Sequence, residues 1–221
     1  MYKLLAILFS SAILMTSGKC SGEDITNINV EEETYVQSPP VEAKASAVFA
    51  SGCFWCVEAI FESVNGVAEA VSGYSGGKKS TANYPAVSSG STKHAEAVEV
   101  FYDPDIVSYQ TLLEVFFGSH DPTTLNQQGP DRGPQYRSAI FYKSEEEKTL
   151  AEAYIKKLLD EGVYDYISTE VAPLEKFYDA EDYHQDFEKK NPNQPYVRAV
   201  SVPRLKKFLK KYPELLKENV H

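Results

Sequence analysis

Cys53 and Cys56, in the stretch SGCFWCVEAIFESV, stand three positions apart where an apolar run gives way to helical periodicity. Three kinds of chemistry use such a pair. A structural zinc site needs four ligands, and this chain offers no second cysteine pair and only four scattered histidines, so no metal is expected. A purely structural disulfide gains little, because closing so short a loop removes little entropy from the unfolded chain. That leaves reactivity. At the start of a helix, Cys53 would sit among free N–H groups whose partial positive charge favours thiolate, which predicts a lowered pKa. Helix positions i and i+3 are neighbours, so Cys56 is within reach of Cys53 for a disulfide, or to condense a sulfenic acid formed there. Phe54 and Trp55 are bulkier than the pair between the cysteines of a thioredoxin-type oxidoreductase, and they suggest walls for a small apolar group. Taken singly, each is equally at home in a core.

The elements that must position this pair follow from periodicity. ASAVFA suits a buried strand, and the following helix places Val57, Ile60, Phe61 and Val64 on one face. GVAEAVSGYSGG reads as a strand ending in a glycine-rich loop, and HAEAVEVFYDP as a strand with Glu96, Val98, Val100 and Tyr102 on one side. SYQTLLEVFFGSH is helical, with Tyr109, Leu112, Leu113, Phe116 and Phe117 along one stripe, and QYRSAIFY is a further strand. Ser144 followed by three glutamates caps a helix that stops at Gly162. ISTEVAPL is a strand, AEDYHQDFEKKNP a short helix, and PRLKKFLKKYPELLKEN a last amphipathic helix whose buried stripe includes Leu205, Phe208, Leu209 and Tyr212. Short elements alternating irregularly predict an α+β class, a two-layer sandwich of a mixed sheet and covering helices.

A chain of 221 residues, 43% of them hydrophobic, supplies one core. With 22 basic against 32 acidic residues the net charge is -10, which repels phosphate backbones, so no nucleic acid partner is expected. Lys3 precedes LLAILFSSAILM, an apolar run short for a bilayer span and followed by small residues, the pattern of a secretory signal over 1–19. TSGKC resembles a bacterial lipoprotein processing site with Cys20 as the acylated residue, although Lys19 stands where a small residue is usual; a plain cleaved signal is the alternative. Residues 20–43 form an acidic linker stiffened by Pro39 and Pro40, the catalytic domain spans 44–203, and 204–221 is the terminal helix. The expected location is the extracytoplasmic bacterial envelope (periplasm), with membrane contact only through a lipid anchor.

Four blocks carry a resemblance: GCFWCVEAIFESVNGVAEAVSGYSGG, NYPAVSSGSTKHAEAVEVFYDP, HDPTTLNQQGPDRGPQYRSAIFY and YHQDFEKKNP. In this order they are similar to the A-type peptide methionine sulfoxide reductases, from about residue 46 to 193. The resemblance implies reduction of the S epimer of free or peptidyl methionine sulfoxide, in a system with one enzyme per epimer. It further implies a single α+β domain with a ferredoxin-like core and no cofactor. By position, Cys53 resembles the family nucleophile, Phe54 and Trp55 the walls around the substrate methyl, and Glu96 the acid. Tyr84 and Tyr136 match tyrosines that hydrogen-bond the sulfoxide oxygen, and Asp131 a carboxylate in the polar network.

The types make chemical sense. A sulfoxide oxygen leaves only if protonated, so thiolate attack must be matched by an acid, and burial would keep Glu96 neutral near pH 7. The chain departs from the pattern where the familiar motif has glycine and this one has Cys56, and everything after residue 56 is cysteine-free. Cys56 is therefore expected to attack the sulfenic acid of Cys53, leaving a disulfide for a thioredoxin-like reductant. Otherwise Cys56 is a small buried hydrophobe and an external thiol reduces Cys53 directly. Lys93 and Gln127 replace a common glycine and a usual arginine, at the rim of the pocket; His94, His120 and His184 read as scaffold residues. A monomer is expected. The rival activity is general thiol-disulfide exchange.

Overall fold

The computed structural model describes residues 42–218; the signal segment, Cys20 and the linker up to residue 41 lie outside the described residues. The first apolar run forms β1 (Ala45–Ser51), and the periodic segment after it forms α1 (Phe54–Glu62). β2 (Val67–Ser75) and β3 (Ala95–Tyr102) follow, separated by the short α2 (Tyr84–Ser88). Next come α3 (Tyr109–Ser119), a two-residue hairpin of β4 (Gln127–Gln128) and β5 (Asp131–Arg132), and β6 (Ser138–Tyr142). Ser108 and Ser144 cap α3 and α4 (Glu145–Asp160), each accepting from the backbone N–H three residues on, and three glutamates lie at the positive end of α4. β7 (Glu170–Pro173), β8 (Phe177–Asp179), α5 (Phe187–Lys190) and α6 (Val202–Lys211) complete the order.

Six strands make one mixed sheet in the order β7-β6-β1-β3-β2-β8, antiparallel except between β6 and β7. Its centre, β6-β1-β3-β2 with α1 and α3 as the intervening helices, is the ferredoxin-like core expected. Helices α1, α3, α4 and α6 bury their apolar residues with Phe49, Val98 and Ile140 in the main core, and a smaller cluster around Val48, Ala97 and Phe141 lies on the other face of the sheet. Phe49 is the hub: its ring stacks against Phe61 of α1, Tyr109 and Phe116 of α3, with centroids 5.1, 6.1 and 5.4 Å away.

One property of the register matters for function. β1 pairs with β3 as Phe49↔Val98, so two residues further Ser51 comes beside Glu96, while Ser51 pairs with Ser138 at the start of β6. The C-terminal end of β1 thus meets the N-terminal ends of both its neighbours. Gly52 and Cys53 leave the sheet at that junction, with Tyr136 two residues before Ser138 and Glu96 at the head of β3.

The structure corrects two element expectations. AEDYHQDFEKKNP is not one helix but a 3-10 turn, Asp182–His184, and the four-residue α5. Asp186 breaks them with a left-handed φ of 53°, its N–H donating to Glu58 at 2.5 Å, while the Gln185 amide bonds both the N–H and the C=O of Ser72 at 2.9 Å. The terminal helix stops at Lys211, since Pro213 lacks an N–H and restricts Tyr212; a single 3-10 turn follows. β8 and α2 were not expected, being too short to show a period.

Truncating the hub removes a ring with no exposed surface, and Phe49→Ala should lower unfolding free energy by about 3–5 kcal/mol, read by urea denaturation of the reduced protein.

Candidate active site

Gly52 makes the turn out of β1 with φ +96°, and a Cβ there would lie 2.7 Å from the Gln128 side chain, so both backbone and space demand glycine. The turn delivers Cys53 to the N-cap position of α1, buried at 6% exposure. Across the junction, Glu96 accepts a hydrogen bond from the Phe54 N–H at 3.2 Å. Its carboxyl is 2% exposed, and burial pushes its pKa up to about 8, so it is protonated at neutral pH.

Around these two groups closes a pocket of about 220 Å³. Seven of the residues singled out from the sequence line it: Cys53, Phe54, Trp55, Tyr84, Glu96, Asp131 and Tyr136. Gln194 and Tyr196 complete the wall. The volume suits a side-chain tip rather than a large ligand. Burial raises the Tyr84 and Tyr136 phenols above their ordinary range, helped by nearby Glu96 and Cys53, which keeps both protonated and able to donate. Asp131 accepts from the Tyr196 hydroxyl at 2.5 Å, and burial raises its carboxyl.

The aromatic wall is held from behind. Trp55 stacks on Phe187 at 3.7 Å between centroids, and its indole N–H donates to Nδ1 of His184 at 3.1 Å. Burial pushes the His184 pKa down, so the ring stays neutral and its Nδ1 remains an acceptor. Glu181 bridges the Tyr74 hydroxyl, at 2.8 Å, and the Tyr84 backbone N–H, at 2.9 Å. His120 bonds the Phe116 carbonyl and Ser138 through its two ring nitrogens, burial driving its pKa to about 3, and Nε2 of His94 bonds the Lys78 carbonyl at 3.0 Å. These three histidines are braces. Lys93 and Gln127 are in neither the pocket wall nor its immediate support; Gln127 accepts from Arg132 at 2.6 Å within the β4-β5 hairpin.

The expected lowering of the Cys53 pKa is corrected. Burial pushes that thiol well above its ordinary value, and the Cys56 and Glu96 charges add to this. The Cys53 side chain takes no capping hydrogen bond from the first turn, where the Phe54 N–H goes to Glu96 and the Cys56 and Val57 N–H groups go to the Cys53 carbonyl. The anion is favoured at Cys56 instead, whose pKa falls to about 7 through its hydrogen bond with Cys53 and the Arg204 guanidinium.

Tyr196, Gln194, Glu181 and Arg204 were not singled out from the sequence. Tyr196 is one tyrosine of fifteen, far along the chain from Cys53, and no local spacing marks it.

The family description peptide methionine sulfoxide reductase matches residues 45–216. Peptide methionine sulfoxide reductase MsrA 2 of Synechocystis sp. is 46% identical over 215 residues, covering 96% of this chain and 98% of its own. The MsrA of Sulfolobus acidocaldarius is 49% identical over 168 residues, 76% of this chain and 95% of its own. Among solved structures, the reduced form of Mxr1 from Saccharomyces cerevisiae aligns with a TM-score of 0.64 and 32% identity, covering 72% of this chain and 92% of that one. Methionine sulfoxide reductase A of Corynebacterium diphtheriae aligns at 0.59 and 35% identity, over 66% and 74%. With nearly the whole described region matched, this chain belongs to the peptide methionine sulfoxide reductase family.

Proposed function

We propose that this enzyme reduces the S epimer of methionine sulfoxide, free or in proteins, with Cys53 as nucleophile, Glu96 as acid and Cys56 as resolving thiol. Reduction of methionine sulfoxide to methionine by thiol chemistry is the activity of the chain. The observation that carries the residue roles is a buried, neutral carboxyl beside a buried thiol inside a small aromatic cup. General disulfide exchange has no use for that carboxyl.

The substrate methyl packs against Phe54 and Trp55, and the sulfoxide oxygen meets Glu96, Tyr84 and Tyr136. Passage of the Cys53 proton to Cys56 frees the Cys53 thiolate, which attacks the sulfoxide sulfur and forms a transient bond between the two sulfurs as Glu96 protonates the oxygen. The Tyr84 and Tyr136 hydroxyls donate to charge growing on that oxygen. The protonated oxygen passes from the substrate sulfur to Cys53 Sγ: the substrate S–O bond and the transient bond between the two sulfurs break as the Sγ–O bond forms, methionine leaves as the thioether, and Cys53 is left as sulfenic acid. Cys56 then attacks the Cys53 sulfur, releasing water and forming the Cys53–Cys56 disulfide. A dithiol of the thioredoxin type, acting on a monomer, restores both thiols. A place outside the cytoplasm rests on the apolar run after Lys3 and on TSGKC; globomycin-sensitive processing and labelling of Cys20 by a fatty acid are its test, and a soluble, unprocessed cytoplasmic protein refutes it.

Cys53→Ser should abolish loss of methyl p-tolyl sulfoxide, and resolved epimers should show turnover of the S form alone. Glu96 acts only while protonated, so the rate should fall as pH rises through its pKa of about 8. Glu96→Gln should remove that limb and cost about 10²-fold in the first turnover of pre-reduced enzyme. Cys56→Ser should release about one methionine per enzyme, more slowly than wild type, and then stall with a dimedone-reactive sulfenic acid when a protein dithiol is the reductant. Undiminished steady turnover in that variant rejects the resolving role.

A further inference from the structure

Cys53 and Cys56 do not face the same space. Cys53 lines the 220 Å³ sulfoxide pocket, whereas Cys56 lines a separate cavity of about 930 Å³ on the other side of the first turn of α1. Asp131 and Tyr196, joined by their 2.5 Å hydrogen bond, line both and form the partition. The larger cavity carries two cations, Arg204 and Lys207. Arg204 is fixed there, its Nε donating to the Ser119 carbonyl at 2.9 Å and a terminal nitrogen to Ser51 Oγ at 3.2 Å. The carboxylates in the same wall are already engaged, Asp131 by Tyr196 and Asp121 by Thr123 at 2.6 and 2.9 Å.

We propose that this second cavity is the port for the reductant: a thiolate carried by a dithiol enters beside Arg204 and Lys207 and attacks Cys56, while the sulfoxide pocket serves substrate alone. The proposal rests on the resolving role of Cys56. In the step, the incoming thiolate forms a bond to Cys56 Sγ, the Cys53–Cys56 bond breaks, and Cys53 departs as thiolate into the substrate pocket. The second thiol of the reductant then attacks the mixed disulfide, leaving as a disulfide and returning Cys56 as thiolate. Two electrons pass from the dithiol to the enzyme, and the two reductant protons balance the two sulfurs restored. The direction of attack regenerates the Cys53 thiolate where the next substrate binds.

The test uses the whole protein with dithiothreitol as the probe. In wild type, kcat/KM for dithiothreitol should stay constant within about 2-fold as methyl p-tolyl sulfoxide is raised far above its own KM; a fall shows both reactants competing for one mouth and overturns the port. Ala199 lines the larger cavity and is exposed at its mouth, and Ala199→Trp should slow reduction of the oxidised enzyme by dithiothreitol about 10-fold while the first turnover of pre-reduced variant remains at the wild-type rate. Equal slowing of both steps, or of neither, overturns the proposal. Mass spectrometry of the enzyme after one turnover separates the two readings: if no Cys53–Cys56 disulfide is found, the resolving role itself fails, and the port with it.

Discussion

The Glu96 carboxyl placed against the first backbone N–H of α1 is the contact on which the rest of the site depends. A carboxylate at a helix start is ordinarily stabilised there. Here burial outweighs the helix and the carboxyl stays protonated near neutrality. The same contact takes the Phe54 N–H, and the Cys53 thiol beside it is kept neutral by burial in its turn. Both consequences come from strand register: the end of β1 must meet the head of β3 for the two groups to be adjacent at all.

The cup around them is a supported structure rather than a set of loose side chains. Glu58, on α1, accepts from Ser72 and from the Asp186 backbone, and Gln185 clamps Ser72 like a missing strand. That segment carries Glu181, His184 and Phe187, which fix Tyr84 and Trp55. Burial lifts Glu58 to about pKa 7, so its hold on the Asp186 N–H is partly that of a neutral acid. The irregular Asp186 backbone is the cost of turning the segment so that both ends meet the helix.

Much of this was legible in the chain. Period-two and period-3.6 patterns located the strands and helices of the core, because one face of each is buried and the other is not. The motif blocks located seven pocket residues. What they did not reveal depended on distance. Tyr196 and Arg204 reach the cysteines only because α6 folds back against α1 and α3, and no local pattern encodes that return. The Cys53 pKa departs from its expected direction for a related reason: the sequence places Cys53 at a helix start but does not show how deeply the fold buries the thiol.

The turn before α6 has a consequence for the tolerance of this region to change. Val197–Ser201 is π-helical, one residue wider than an α turn, and leads directly into α6. Deleting one residue from an ordinary α-helix turns everything downstream by about 100°, whereas this wide turn holds one residue more than an α turn, so a deletion within it is absorbed by a return to ordinary winding. The guanidinium that meets Ser51 and Ser119 would then keep its place, which makes this turn the point before α6 where the chain tolerates losing a residue.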